Sequence, residues 1–419
     1  MRVSMEKLLS GTVCDCGKKH TCAIGRVAIG NRAAEEMDDI LSGFDRVLAV
    51  ADENTYNAAR EFLSAAFLRK AVFHIFPGSS VLIPDEKAIT AVTESAEDMD
   101  VLVAIGSGVI QDLCKYVSFQ KKIPYVVFAT APSMDGYASS GAAMILGGMK
   151  VTVEAGLPRA IIGDTRVLSA APFEMIQSGY GDIIGKYSAL NDWKLSLLLT
   201  DEYFCRAIHD TVMQMVLQTE KAVDGLIRRE EESVGKLMEA LVCVGIMMSY
   251  AGKSRPASGS EHHLSHFFEI TGILNGETYY PHGIDVGFSS VVTAQIRQRL
   301  LALEKPAVRA FDEAYWEREI KRVYQTIAPG VIELQKNAGW HWNEPLKISY
   351  EKNWGRIRRI LAESPTDRFL KERIAAIGLD IRDFSDTYGP QKISDAVLYG
   401  MELKDRFTCL RLYNDLEML

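Results

Sequence analysis

The sequence lacks a hydrophobic segment long enough to span a lipid bilayer. Its longest apolar stretch lies near residues 241–251, is interrupted by Ser249 and is too short for a membrane helix. Residues 1–10 carry three charged side chains and no long apolar core, so no signal peptide is expected. We therefore expect a cytoplasmic protein with no membrane span.

The chain also lacks an excess of positive charge and a regular framework of cysteines. Its 47 lysines and arginines are outnumbered by 55 aspartates and glutamates, and the net charge of −8 argues against a general nucleic-acid binder. Seven scattered cysteines, an odd number, favour a reduced protein without disulfides. A length of 419 residues predicts about two domains.

One group of cysteines stands apart from the others. Cys14, Cys16, His20 and Cys22 follow one another closely, and thiolates with an imidazole are zinc ligands. The paired Cys-x-x-Cys spacing of zinc knuckles is missing, and no second cluster follows. A β-hairpin that turns at Gly17-Lys18 is the favoured interpretation.

The first 165 residues alternate apolar strands with helical stretches, which predicts a mostly parallel, Rossmann-like sheet. A segment rich in small residues, 136–155, is expected to form a hairpin or loop. Helical patterns are seen at 57–70, 87–96 and 109–120. The predicted strands are 46–51, 71–76, 101–105, 124–129 and 159–164.

Beyond about residue 170 the pattern changes to long amphipathic stretches, so the second half is predicted to be all helical. The boundary falls near 165–172, and we divide the chain into domains at 1–168 and 169–419. The predicted helices are 185–199, 205–229, 232–251, 258–272 and 285–303.

Glycines and a carboxylate follow two of the predicted strands. Gly106-Ser107-Gly108 lies where a strand becomes a helix, so its backbone amides and the helix dipole favour a bound pyrophosphate. Gln111 occupies the place of the third glycine of the GxGxxG fingerprint, which weakens the match. Asp52 ends another strand and has two equal interpretations, a ribose contact or a helix N-cap.

Four of the eight histidines lie within residues 262–282. His262 and His266 are four residues apart and share one face of a helix, and His282 precedes a glycine. Imidazoles and carboxylates are typical ligands of a catalytic divalent metal. Asp182 is the candidate oxygen ligand, with a helix N-cap as the alternative, and His263 is interpreted as an outward or core histidine.

Together these segments resemble the superfamily of iron-type alcohol dehydrogenases, glycerol dehydrogenases and dehydroquinate synthase. The narrower resemblance is to its sn-glycerol-1-phosphate dehydrogenases of the bacterial, AraM type. It covers roughly residues 10–300, and its most specific segment is Ser-Gly-Ser-Glu-His at 258–262. The motifs that carry it are Gly106-Ser107-Gly108 with Asp112 and Lys115, Thr130–Gly136, Gly181-Asp182, Arg255–His266 and His282-Gly283.

The resemblance implies a fold and a set of site residues. The fold is dehydroquinate synthase-like, with an α/β Rossmann-like domain that binds a dinucleotide and an all-helical domain that binds metal and substrate. The implied metal ligands are Asp182, His262 and His282, and with His266 they form the catalytic set. The implied substrate contacts are Asp135, Asp182 and His266. With Asp52, the cofactor contacts are Gly106, Ser107, Gly108, Asp112, Thr130, Ser133 and Ser139.

The resemblance also implies a reaction: reversible, NAD(P)H-linked reduction of dihydroxyacetone phosphate to sn-glycerol 1-phosphate, with the metal polarising the carbonyl and the nicotinamide delivering hydride. The expected cofactors are NAD(H) or NADP(H) and a divalent metal, nickel before zinc. Lys186 and Arg255 are candidate phosphate donors, and a homodimer is expected. The alternatives are a glycerol or other polyol dehydrogenase, a dehydroquinate synthase-like lyase, and a non-catalytic binding protein that kept the fold.

Overall fold

A computed structural model describes residues 4–80, 82–147 and 149–417 of the chain. Gly148, at the tip of the predicted hairpin segment, lies outside the described residues. The strands are β1 Thr12–Val13, β2 Lys19–His20, β3 Arg26–Gly30, β4 Val47–Asp52, β5 Ala71–Phe76, β6 Val101–Gly106, β7 Tyr125–Ala129, β8 Gly141–Leu146, β9 Met149–Glu154 and β10 Ala160–Asp164.

The α-helices occupy most of the rest of the described chain, with short 3-10 turns between some of them. The helix Ile381–Tyr399, α18, is broken at Gly389, whose φ is +69°, and Pro390 follows. The helices are α1 Met5–Ser10, α2 Met37–Ile40, α3 Glu53–Ala59, α4 Ala65–Lys70, α5 Glu86–Ser95, α6 Gly108–Lys121, α7 Thr165–Ala170, α8 Phe173–Thr200, α9 Arg206–Lys221, α10 Val223–Ile227, α11 Glu231–Ala251, α12 Ser260–Asn275, α13 His282–Ala302, α14 Glu313–Tyr324, α15 Ala328–Ala338, α16 Glu344–Ala362, α17 Asp367–Ala376, α18 Ile381–Tyr399 and α19 Cys409–Asp415.

The central sheet has six parallel strands in the order β3-β10-β7-β6-β4-β5. Its inner strands are wholly buried, as strands covered on both faces must be, which is why they read as unbroken apolar runs. The predicted parallel, Rossmann-like sheet is confirmed. The hairpin predicted within 136–155 is confirmed as the antiparallel pair of β8 and β9.

Several local predictions were incomplete. The predicted helix 205–229 is divided into α9 and α10, and α8 begins at Phe173 and not near residue 185. The predicted helix 57–70 is two helices, because Asp52 caps α3 and Ser64 caps α4, and a 3-10 turn at Arg60–Phe62 separates them. Strand β3 was missed. Arg26 and Gly30 limit its apolar run to the three residues 27–29, and the strand is only partly buried.

The chain divides into two compact units. The first contains residues Met1–Ile183 and Leu217–Ser254, so it includes a helix from the second half of the sequence, α11. This helix packs on α7, on β3 and on the 3-10 turn Gly136–Ala138. Contrary to the expectation from the sequence, this helix is long and apolar enough to cross a membrane by length and composition. However, 83% of its apolar window is buried inside the protein, as in a core helix.

The second unit contains residues Ile184–Val216 and Arg255–Leu419 and is helical. A buried ion pair fixes the start of α12 within it. Arg297 donates to Asp192 at 2.8 Å, and the other oxygen of this carboxylate accepts the Ser260 N–H at 2.7 Å. Both charged side chains are almost fully buried, and removal of either partner would leave an unpaired charge in the core.

Candidate active site

The carboxyl edge of the sheet provides the first part of the site. From β4 the chain moves outward to β5 and then returns to place β6 on the other side of β4. In open α/β sheets, the crevice at such a reversal of strand order is the usual ligand site. Asp52 ends β4 and Gly106 ends β6, so the predicted dinucleotide residues share this crevice.

The two glycines that follow β6 have different roles. A methyl group at Gly106 would lie 2.7 Å from Cβ of Ile110, so this glycine is needed for packing of α6 on the strand. At Gly108, the first residue of α6, a methyl group would meet no described atom within 4 Å. Ser107 precedes the helix without a side-chain cap. The first turn of α6 therefore presents backbone amides beside open space, which suits a phosphate.

Asp52 is the N-cap of α3. Its Oδ1 accepts the Thr55 N–H at 2.8 Å, and the Thr55 hydroxyl oxygen accepts the Asp52 N–H at 3.0 Å, which completes a capping box. The N-cap interpretation is confirmed. The ribose contact stays a prediction, which the position of Asp52 at the strand reversal supports.

The loop after β7 is buried and held by hydrogen bonds. Thr130, Ser133 and Asp135 are 6%, 7% and 8% exposed. The Thr130 N–H donates to the carbonyl of Gly106 at 3.2 Å, which joins this loop to the glycine turn. The Asp135 N–H donates to Oδ2 of Asp182 at 2.9 Å. Two predicted site residues are thus in direct contact.

Lys115 anchors the segment after this loop. Its ammonium group is buried and donates to the carbonyls of Gly136 and Gly141, each at 2.9 Å. It also lies 3.4 Å from both Asp112 Oδ1 and Ser139 Oγ. The structure therefore brings the predicted cofactor residues Asp112 and Ser139 together around one lysine, to which the sequence had assigned no role.

Three histidines converge in the second unit. The helical spacing of His262 and His266 on α12 is confirmed, and their ring centroids are 6.0 Å apart. His282 is the first residue of α13, with its ring 5.1 Å from that of His262 and 5.4 Å from that of His266. The close packing of α12 against α13 produces this arrangement.

Asp182 lies on α8, the helix that continues from the first unit into the second. One ligand atom from each of Asp182, His262 and His282 lies within 4.8 Å of the other two, whereas His266 is outside this set. The N-cap alternative for Asp182 is wrong, because α8 begins at Phe173 and runs past it. Gly179, inside the same helix, is a close-packing position, where a methyl group would lie 1.9 Å from the Pro132 carbonyl oxygen.

Glu261 orients the ring of His262, and sequence reasoning missed it. Nδ1 of His262 lies 2.8 Å from Oε1 of Glu261, so the ring donates its Nδ1–H to the carboxylate. The lone pair is then on Nε2, which is the nitrogen that could bind a metal. Glu261 is fully buried and also accepts the Gly259 N–H at 2.8 Å. A carboxylate beside a ligand histidine is the sequence signal that could have identified it.

The ring of His262 is held neutral. Burial lowers its pKa well below the usual 6.5, and the positive charges of Lys186, Lys404 and Arg406 lower it further. A neutral imidazole is the form that binds a metal. His263 is a core histidine, since it is fully buried and neither ring nitrogen has a hydrogen-bond partner among the described residues. Burial lowers its pKa as well.

The positive charges that lower the pKa of His262 also bear on the predicted phosphate donors. Lys186 is fully buried on α8, one turn after Asp182, and is not a surface charge. Lys404 and Arg406 come from the last part of the chain, where the sequence showed no motif. Arg255 is engaged elsewhere: it donates to Glu202 at 2.7 Å and to the carbonyl of Phe407. A role of Arg255 in binding the substrate phosphate stays a prediction.

Comparisons with known proteins show that the chain is similar to dehydrogenases. Residues 28–172 match the family described as iron-containing alcohol dehydrogenase. Glycerol-1-phosphate dehydrogenase (NAD(P)+) of Geobacillus stearothermophilus is 30% identical over 432 aligned positions that cover 99% of each chain. The enzyme of the same name from Bacillus licheniformis is 29% identical over 415 positions, which cover 97% of this chain and 93% of the relative.

The fold is also found among solved structures. An iron-containing alcohol dehydrogenase from Thermococcus thioreducens matches with a TM-score of 0.60 at 14% identity, covering 90% of each chain. At this identity the match shows the fold alone. It confirms the predicted architecture, a Rossmann-like parallel sheet followed by a helical region.

Proposed function

The chain belongs to the glycerol-1-phosphate dehydrogenase (NAD(P)+) family, and we propose that Asp182, His262 and His282 are the centre of its reaction. That reaction is the reversible, NAD(P)H-linked reduction of dihydroxyacetone phosphate to sn-glycerol 1-phosphate. The observation that carries the site proposal is the convergence of two imidazoles and one carboxylate within 4.8 Å.

The three side chains fit a divalent metal. They offer two nitrogen ligands and one oxygen ligand, which is a usual set for a catalytic site with open positions. Glu261 supplies the outer hydrogen bond that fixes the tautomer of His262. Bound there, a divalent cation supplies a Lewis acid for the substrate carbonyl, and NAD(P)H supplies the hydride. Nickel is the first candidate and zinc the second.

The remaining predicted residues position the cofactor. We propose that the pyrophosphate lies at the first turn of α6, on the amides that follow Ser107 and Gly108. Asp52 accepts hydrogen bonds from the ribose and favours NADH, because its charge repels a 2′-phosphate. Thr130 and Ser133 line the nicotinamide. Asp112 and Ser139, which both lie near the Lys115 ammonium group, provide the remaining cofactor contacts.

Substitution of Gly108 by alanine tests the pyrophosphate site. The added methyl group has open space, so the fold and its melting temperature should not change. We expect the Kd for NADH, followed by fluorescence titration, to rise about tenfold or more, since a methyl group would block close approach of the diphosphate. Gly355→Ala is the matched control, as it too adds a methyl in open space. An unchanged Kd for Gly108→Ala would place the diphosphate elsewhere.

The substrate phosphate is assigned to the cations beside His262. Lys186, Lys404 and Arg406 give this part of the second unit a positive potential. Burial, together with the charge of Arg255, lowers the pKa of Arg406 to about 10. The arginine remains charged at neutral pH. A phosphorylated ketone would neutralise this charge, whereas an unphosphorylated polyol would not. We also propose that Asp135 binds the substrate hydroxyl.

His266 is the proposed source of the proton that the substrate oxygen takes up on reduction. It faces the ligand histidines and lies outside the metal set. His266→Ala should therefore keep the metal and lower kcat about 10²-fold, with a changed pH profile, as for loss of a general acid. Metal content by mass spectrometry is the control. Full turnover with an unaltered pH profile would remove His266 from the mechanism.

Substrate specificity tests the proposed function. Protein stripped with a chelator and restored with nickel or zinc should oxidise NADH with dihydroxyacetone phosphate and much more slowly with dihydroxyacetone. Greater activity with the unphosphorylated ketone would favour a polyol dehydrogenase. Turnover without net NADH consumption would favour a dehydroquinate synthase-like lyase. Homodimer formation and a cytoplasmic location stay predictions.

A further inference from the structure

The N-terminal hairpin gathers metal-binding side chains outside the active site. Strands β1 and β2 pair antiparallel, and the Cys14 N–H donates to the Lys18 carbonyl at 3.1 Å. The turn falls at Asp15–Gly17, slightly before the predicted position, and the φ of Gly17 is +84°. The hairpin prediction is confirmed. Cys16, in the turn, lies close to His20, the last residue of β2.

His20 is oriented as a metal ligand. It is 1% exposed, and its Nδ1 lies 3.2 Å from the carbonyl oxygen of Tyr250. A carbonyl oxygen only accepts, so Nδ1 carries the proton and the lone pair is on Nε2. Nε2 lies 3.4 Å from Sγ of Cys16. A ligand histidine typically has its second nitrogen bonded to a carbonyl in this way.

The ring is also held in place by Tyr250. The two rings stack with centroids 5.0 Å apart and an interplanar angle of 11°. The tyrosine hydroxyl donates to the carbonyl of Leu8. Burial raises the pKa of Tyr250 to about 12, so it remains a neutral donor. Stacking on Tyr250, together with the hydrogen bond from Nδ1 to the Tyr250 carbonyl, fixes the direction in which Nε2 of His20 points.

We propose that Cys14, Cys16 and His20 bind a structural zinc ion, with Cys205 as the fourth ligand. One ligand atom from each of these four residues lies within 4.8 Å of the others. Three thiolates and one imidazole form a closed tetrahedral set of the kind that structural zinc occupies. Cys22 lies outside the set.

The role of such an ion would be to stabilise the fold. Residues 14–20 and 205 are far apart in the sequence, so their common ligation removes many conformations from the unfolded chain. The zinc ion comes from the solvent. Each of the three thiols loses its proton when it binds the ion, and the three protons pass to the solvent. The substrate reaction does not involve this ion.

Metal analysis of the full-length protein tests the proposal. Wild-type protein should contain about one zinc per chain beyond the active-site metal, held by three thiolates. Cys14→Ser, Cys16→Ser and Cys205→Ser should each lose that zinc and melt at a lower temperature. Cys22→Ser is the matched control and should retain both. Equal zinc in the control and in Cys16→Ser would overturn the proposal.

Cobalt substitution gives a readout that the active site cannot produce. The active-site set contains no sulfur, so a thiolate-to-cobalt charge-transfer band reports only on the cysteines. The wild type and Cys22→Ser should show this band, and Cys16→Ser should show a much weaker one. If the serine variants do not fold, alkylation of native wild-type protein decides. Cys14 and Cys16 should react only after chelation, and rapid reaction before chelation, or a Cys14–Cys16 disulfide, would contradict the zinc site.

Discussion

Replacing His262 with alanine is expected to lower kcat/KM for dihydroxyacetone phosphate by about 10³-fold, or about 4 kcal/mol of transition-state stabilisation. The physical reason is loss of one of the three proposed metal ligands, which leaves only Asp182 and His282 of that set. The enzyme should also contain less active-site metal. Steady-state kinetics with metal analysis on the same preparation measures both effects.

His263→Leu is the matched control for that experiment. The neighbouring imidazole is equally buried, and neither of its nitrogens has a hydrogen-bond partner in the described part of the chain. An apolar side chain of similar size should therefore be accepted, with metal content and turnover close to the wild type. If His263→Leu lost metal and His262→Ala retained it, the ligand assignment would be wrong.

Replacing Lys186 with methionine should affect the phosphorylated substrate selectively. The lysine is fully buried, and its charge is one of those that lower the pKa of His262. The proposed ion pair is between the Lys186 ammonium group and the substrate phosphate. Removing one partner of a desolvated pair costs about 3–5 kcal/mol, so kcat/KM for dihydroxyacetone phosphate should fall at least about 10²-fold. Activity with dihydroxyacetone should change far less, because that ketone carries no phosphate.

Lys194→Met controls for removal of a lysine from the same helix. Lys194 lies two turns further along α8, is 30% exposed and pairs with Glu363 at 2.7 Å. An exposed pair of this kind contributes little, so both substrates should be reduced as by the wild type. Equal losses with the two ketones for Lys186→Met would show that the lysine supports the fold and not the phosphate.

The sheet could be predicted because its strands are buried on both faces. Val101–Gly106 and Tyr125–Ala129 are almost wholly apolar, and each is followed by glycines or polar residues at the carboxyl edge. The histidine spacing on α12 was equally visible, because two residues four apart on a helix share a face. Both patterns involve residues that are close together in the sequence, so they can be recognised in a single sequence without knowledge of the fold.

The rest of the site depends on contacts between distant residues. The sequence left a helix N-cap open as the role of Asp182, yet Asp182 lies inside α8, and Gly179 in the same helix allows a close approach to the Pro132 carbonyl. Lys404 and Arg406 lie more than 140 residues after His262, and their charges gave no motif. Cys205 is even more distant from Cys16 in the sequence, so the hairpin alone seemed to lack a complete set of zinc ligands.

The configuration of the product tests the central claim most directly. Metal-restored enzyme, NADH and dihydroxyacetone phosphate should give glycerol phosphate that a stereospecific sn-glycerol-3-phosphate dehydrogenase does not oxidise, which identifies it as sn-glycerol 1-phosphate. The same product should be absent with His262→Ala. Formation of sn-glycerol 3-phosphate, or of equal amounts of both enantiomers, would contradict the account.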